Sequence, residues 1–230
     1  MRLLARELQS ALPNSIACSG STLQFLTIRS GGRFREEQTG TPTGTPLTFG
    51  APTTGFDTIG GNADTVTKDA RGNSVSSGSN RVVVGNLTSG APTCHSDYSN
   101  IATANNAATV SSIGTSSVAI VSNNFPTDCK LATPTVVDDG GTPTVNEANN
   151  REFGKFYVVD STPVTFAYDV INGLTRNTIP VVAASHVSGF QVACDDTKAR
   201  VQMVTFNLKL NDKDSEIVNM LRRVTIVNRP

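Results

Sequence analysis

LLARELQSALP, Leu3 to Pro13, opens the chain, and the rest is organised around how it is read. Leu4, Leu8, Ala11 and Leu12 recur at i, i+4, i+7 and i+8, which lines them up in one stripe of an α-helix, while Arg6, Glu7 and Gln9 face elsewhere. Pro13 lacks an N–H and its ring clashes with the preceding turn, so the spacing predicts a helix ending at or near Leu12, with Asn14-Ser15 turning the chain onward. A helix this short is marginal alone in water. Its stripe needs a partner, either a sheet of the same chain or neighbours in an assembly.

Outward from that stretch, the signals are those of β-structure. Leu23 to Ile28 predicts a first strand, closed by the turn residues Ser30-Gly31-Gly32. From Thr39 to Phe56 prolines and glycines leave few backbone donors, and the segment reads as a surface excursion. Short strands follow at Arg81–Val84 with Asn86-Leu87, and at Ser117–Val121. Asn100–Thr115 and Asn123–Asn150 are dominated by Asn, Thr, Ala, Ser and Gly and read as loops, with one helical turn around Ile101–Ala108.

After Arg151 the pattern sharpens. Phe153–Val159 and Pro163–Tyr168 predict strands joined by Asp160-Ser161-Thr162, and the Asn172-Gly173 pair predicts a hairpin joining Val164–Val170 to Leu174–Arg176. Val187–Cys194 is a further strand. In Val201–Leu210, Val204, Phe206, Leu208 and Leu210 alternate with Thr205, Asn207 and Lys209, so one face is buried and the other wet. Glu216–Val227 closes an antiparallel meander on which the N-terminal helix can lie, with Asn211–Asp214 as the intervening loop.

Composition excludes several function classes. In 230 residues, 19 basic and 19 acidic side chains give a formal net charge of zero, so there is no electrostatic footprint for nucleic acid. Apolar runs such as Val118–Val121 and Val181–Ala184 fall far short of the roughly 20 residues of a bilayer span. The amphipathic opening does not read as a secretory signal. One domain with long loops is the expected organisation: residues 1–14 as helix, and 15–230 as a β-rich head carrying a loop-rich insertion at about 40–150.

Cys18, Cys94, Cys129 and Cys194 are widely spaced and form no zinc knuckle. An even count in a Thr-, Ser-, Asn- and Gly-rich chain points to an oxidising compartment and two disulfides. Of three connectivities, Cys94–Cys129 with Cys18–Cys194 is favoured, the first stapling a loop region and the second tying the start of the chain to a late strand. The alternative is four buried thiols.

Catalytic signatures are thin. His95 and His186 lie in no nucleophile, zinc or kinase motif. The pairs Gly31-Gly32, Gly60-Gly61 and Gly140-Gly141 read as turns rather than phosphate cradles. Asp138-Asp139 and Asp195-Asp196 are weak Ca²⁺ candidates without EF-hand spacing, so solvated loops are the reading and no cofactor is expected.

Ala5–Ser15 followed by Leu23–Ile28 resembles the segment just past the membrane helix in minor type IV pilins and pseudopilins. More narrowly it is similar to the MshO-like branch of MSHA pilus systems, related to J-type pseudopilins of type II secretion and PilW-type minor pilins. Phe156–Phe166, the Asn172–Arg176 turn and Leu221–Pro230 agree. The segment Gly40–Asn150 has no counterpart. The resemblance implies an α+β, pilin-like fold, an N-terminal helix packed on antiparallel sheet. It also implies a leader and membrane-spanning helix upstream, so that Leu3–Leu12 is the stump of a longer rod. A family cysteine near Ala167–Asp169 has no equivalent here, which favours Cys18 as the partner of Cys194.

The implied function is mechanical and not enzymatic: a minor subunit that primes or caps pilus assembly, with other minor and major pilins and the assembly machinery as partners. Its location would be the Gram-negative inner membrane and periplasm, then the pilus tip or cell surface. Leu4, Leu8, Ala11 and Leu12 would dock the helix on the head's own sheet and meet neighbouring subunits. A secreted adhesin or carbohydrate-binding β-domain using the 40–150 loops is the alternative. A phage tail component would share the β-rich composition but commonly lacks cysteines.

Overall fold

β-Branched and aromatic residues alternate with small and polar ones along much of the chain, the pattern of half-buried strands. The computed structural model describes residues 2–35, 44–59, 78–85, 104–129, 135–137, 143–145, 154–198, 201–211 and 217–227. Within these, α1 (Arg2–Gln9) precedes β1 (Ala17–Ser19), β2 (Thr22–Phe25), β3 (Ile28–Phe34), β4 (Thr53–Ile59) and β5 (Asn80–Val84). Next come β6 (Ala107–Ile113), β7 (Ser117–Asn123), β8 (Thr135–Val137), β9 (Pro143–Val145) and β10 (Lys155–Asp160). The chain then runs through β11 (Val164–Asp169), β12 (Gly173–Arg176), β13 (Ile179–Val182), β14 (Val187–Lys198), β15 (Val201–Asn211) and β16 (Ile217–Val227). Two compact units result, one from Met1–Thr27 with Thr162–Arg229, the other from Ile28–Ser161.

The first unit holds a five-stranded sheet, β1-β2-β11-β12-β13, and a three-stranded sheet, β14-β15-β16. Leu23, Phe25, Phe166 and Leu174 from the first and Phe190, Val204, Phe206 and Leu208 from the second belong to one apolar core. Phe25 and Phe166 stack with ring centroids 6.4 Å apart. Along β15, Val204, Phe206 and Leu208 are buried while Thr205, Asn207 and Lys209 are half-buried, the expected two-residue alternation. Its antiparallel register with β16 runs unbroken from Val201 opposite Val227 to Asn211 opposite Ile217.

The second unit is a closed six-stranded barrel, β10-β3-β4-β7-β6-β5, shut by pairing of β10 with both β3 and β5. Phe34, Phe56, Val82, Val110, Val118, Phe156 and Val158 fill it. Phe56 meets Phe156 edge-on with centroids 5.2 Å apart, a favoured aromatic geometry. Arg29 of β3 clasps Asp160 of β10, Nε to Oδ1 at 2.8 Å and the terminal nitrogen to Oδ2 at 2.8 Å. β8 and β9 form a separate two-stranded sheet.

The expected α+β, pilin-like fold is therefore corrected. Among the described residues the chain is mostly β with a closed barrel, and the one α-helix there has 8 residues. α1 lends side chains to a core built by two sheets instead of forming a layer of its own. Its end comes earlier than Pro13 requires, because Ala11 makes a β-bridge with Thr27 and the Leu12 N–H donates to the Leu26 carbonyl at 2.7 Å. Strand pairing takes the backbone groups that a further helical turn would have used.

Local expectations change for similar reasons. Leu23–Ile28 is not one strand: it divides between β2 and β3. Gly31-Gly32 is no turn but lies within β3, where a Cβ on Gly31 would stand 2.8 Å from the Phe156 carbonyl oxygen, so the missing side chain permits close strand approach. The Thr39–Phe56 segment is more than surface, since Leu47 and Phe56 are buried in the barrel and β4 begins at Thr53. Asn100–Thr115 contains β6 where loop was expected, with Ala107, Ala108 and Val110 buried. A barrel needs only alternate residues inside, so Thr- and Ser-rich segments can supply its staves.

Candidate functional site

Leu4, Leu8, Ala11 and Leu12 are all buried, Leu8 and Leu12 completely, and Ala5 is buried beside them. Leu4, Ala5, Leu8 and Ala11 belong to the same core as Phe25, Phe166 and Phe206, so the stripe is occupied by the chain's own residues. Leu3, Arg6 and Gln9 stand exposed.

Beyond apolar burial, several polar fastenings hold this N-terminal segment. The Arg176 Nε donates to both carboxylate oxygens of Glu7, at 3.0 and 2.9 Å, joining α1 to β12. Ser15 donates from its hydroxyl to the Leu12 carbonyl at 2.6 Å and accepts from the Leu26 N–H at 3.1 Å. A disulfide then joins Cys18 of β1 to Cys194 of β14, with the Cα atoms 5.7 Å apart. Cys129 is also disulfide-bonded, while Cys94, its expected partner, lies outside the described residues.

On the barrel, an open cleft of about 330 Å³ is lined by Arg81, Asn105, Thr109, Ser122, Asn123 and Asn124 together with small apolar side chains. Arg81 and Thr109 sit opposite each other on β5 and β6, and Ser122 and Asn123 end β7. The Asn123 side-chain nitrogen is buried without a hydrogen-bond partner among the described residues. Arg81 only donates, the Asn, Ser and Thr side chains both donate and accept, and the lining carries no carboxylate, so it suits a small polar molecule bearing hydroxyl or carboxylate groups.

Elsewhere the chemistry-bearing residues are dispersed. His186 is exposed at the end of a 3₁₀ turn, and Asp195 is exposed on β14 instead of in a loop. Among the described residues no cluster of three His, Cys, Asp or Glu side chains could hold a metal ion. His95, Asp138-Asp139, Gly60-Gly61 and Gly140-Gly141 lie outside the described residues. Burial raises the Tyr157 hydroxyl above its ordinary pKa of 10.0, which keeps it neutral on β10. Asp169, in the β11–β12 turn, is held below its ordinary 3.8 by hydrogen bonds from the Asn172 N–H, the Asn172 side chain and the Ile171 N–H.

Three features were missed in the sequence: the Glu7–Arg176 pair, the Arg81–Asn123 cleft and the exposed apolar side chains of β16. Glu7 had been visible only as a residue off the apolar stripe. No family model, curated protein or solved structure matches the chain.

Proposed function

We propose that this chain is a minor pilin or pseudopilin subunit that primes or caps assembly of a type IV, MSHA-type pilus and performs no catalysis. The observation that carries the reading is the fastening of the N-terminal segment. A subunit drawn into a filament through an N-terminal rod must pass load from that rod into its head. Here α1 has a buried stripe and a two-point Glu7–Arg176 ion pair, and the segment that follows it adds the Leu12–Leu26 backbone bond and, at Cys18 of β1, a covalent tie to a late strand. The stretches that resemble minor pilins support the same reading: Ala5–Ser15 covers the later part of α1 and its exit, Phe156–Phe166 runs from β10 into the start of β11, and Leu221–Val227 lies in β16. Among the described residues no helix is long and apolar enough to cross a membrane.

Deletion of the gene in its host, followed by electron microscopy of surface filaments, tests the proposal. Loss or sharp reduction of pili is expected, restored by the intact gene. Normal filaments on the deletion strain would refute it. The barrel cleft favours a second reading, a secreted adhesin or carbohydrate-binding domain working through residues in the 40–150 segment. That reading predicts undiminished filaments and lost attachment.

A further inference from the structure

β16 is an edge strand of 11 residues, paired among the described residues only with β15. Its two ends differ. Val224 and Ile226 are buried in the core of their unit, whereas Ile217, Val218, Met220 and Leu221 are 59, 49, 39 and 73% exposed. These four fall on both faces of the strand, because successive residues point to opposite sides. Val218 and Met220 stand beside Leu210 and Leu208 of β15, on the face whose interior part is fully covered. α1 packs against β16 near its buried end, but along Ile217–Leu221 no second strand pairs with it among the described residues, and an edge with unpaired backbone and uncovered apolar side chains is a template for another strand.

Charge identifies the occupant. Arg222 and Arg223 are exposed directly after the apolar group, and Ile217–Val227 contains no acidic residue. A second copy is disfavoured: the antiparallel register that pairs all of β16 with itself places Ile217 opposite Val227 and therefore Arg222 opposite Arg222. Like charges directly across a ladder repel. We propose that β16 docks an extended acidic segment of a partner protein, added as a fourth strand. Apolar side chains of that segment would cover Ile217–Leu221, and its carboxylates would pair with Arg222 and Arg223. Backbone bonds supply the affinity and the two arginines select the partner. The inference stands on the sheet alone and does not depend on the filament reading.

Two soluble peptides matching β16 in length test it. Both alternate valine and threonine, one with two glutamates placed across from Arg222 and Arg223, the other with two lysines. Titrated into the intact protein at low salt, the glutamate peptide is expected to bind about tenfold more tightly than the lysine peptide, from two cross-strand ion pairs. It should also slow hydrogen exchange of backbone amides within 217–227. Both arginines are exposed, so the Arg222→Glu/Arg223→Glu double variant should fold, and it should reverse the preference. Equal binding of the two peptides, or a preference unchanged in the double variant, overturns the proposal. So does a dimer in sedimentation that Leu221→Lys dissolves, which would assign the edge to a second copy.

Discussion

Arg176 holds both carboxylate oxygens of Glu7 with its Nε, across 169 residues of chain, and the Glu7 side chain is only 13% exposed. Charge-assisted bonds in such partly shielded sites outweigh those of surface pairs. Glu7→Gln or Arg176→Gln should therefore cost about 1–2 kcal/mol in urea unfolding, with no further loss in the double variant, since each change removes the same interaction. Additive losses in that cycle would show that the two residues act separately.

Leu8 and Phe206 are completely buried in the core that α1 shares, whereas Leu3 is 37% exposed. Leu8→Ala should cost about 2–5 kcal/mol and Phe206→Ala about 3–5, while a substitution such as Leu3→Ala should stay within about 0.5. Denaturant midpoints of the three variants measure the contrast. A Leu3 variant as damaging as Leu8→Ala would mean that the buried stripe has been assigned to the wrong side of the helix.

How much of this was legible beforehand follows from the range of each signal. The alternation of Val204, Phe206 and Leu208 and the Asn172-Gly173 hairpin are local patterns: the first lies where it was expected, and the hairpin joins β11 to β12 with Val170 in the turn and Gly173 opening β12, opposite Asp169. The leucine stripe was local too, but its end depended on Leu26 and Thr27, which capture the backbone at Ala11 and Leu12. Barrel closure pairs Val84 with Phe156, a contact with no trace in either segment alone. Short staves whose outward residues are Thr, Ser and Asn read as loops. In the candidate site, Glu7 and Arg176 meet only through tertiary packing. β16 carries the same alternation whether or not a neighbour covers it, so its exposure could not be foreseen.

Gly173 sits at φ +74°, and a Cβ there would press against the Val182 carbonyl oxygen and the Ala184 nitrogen. Both the left-handed backbone and the crowding oppose any side chain. Gly173→Ala should destabilise the protein by more than about 1 kcal/mol. An unchanged melting temperature would contradict the turn geometry between β11 and β12.

Cys18 and Cys194 are bridged across 176 residues. Closing a long loop in the unfolded chain stabilises the native state, so Cys18→Ser/Cys194→Ser should cost about 2–5 kcal/mol in denaturant unfolding. Non-reducing peptide mass spectrometry of the parent should recover the two cysteines in one linked fragment. Recovery of Cys194 joined to any other cysteine would reject this pairing.

The β11–β12 turn carries a pH signature. The Asp169 Oδ1 accepts the Asn172 N–H at 2.7 Å and the Ile171 N–H at 2.8 Å, and Oδ2 accepts the Asn172 side-chain amide at 3.0 Å. All three bonds favour the ionised carboxylate, so its folded pKa lies below the ordinary 3.8. For an acid with a depressed folded pKa, the stabilisation is fully present above the unfolded pKa and is lost as pH falls through the folded one. The turn should keep its bonds at neutral pH and give them up in acid, beginning below pH 3.8. In an NMR titration the Ile171 and Asn172 amide shifts should move together, with a shared midpoint under 3.8, and Asp169→Asn should abolish that transition. A midpoint at or above the ordinary value would mean that these donors do not hold the charge.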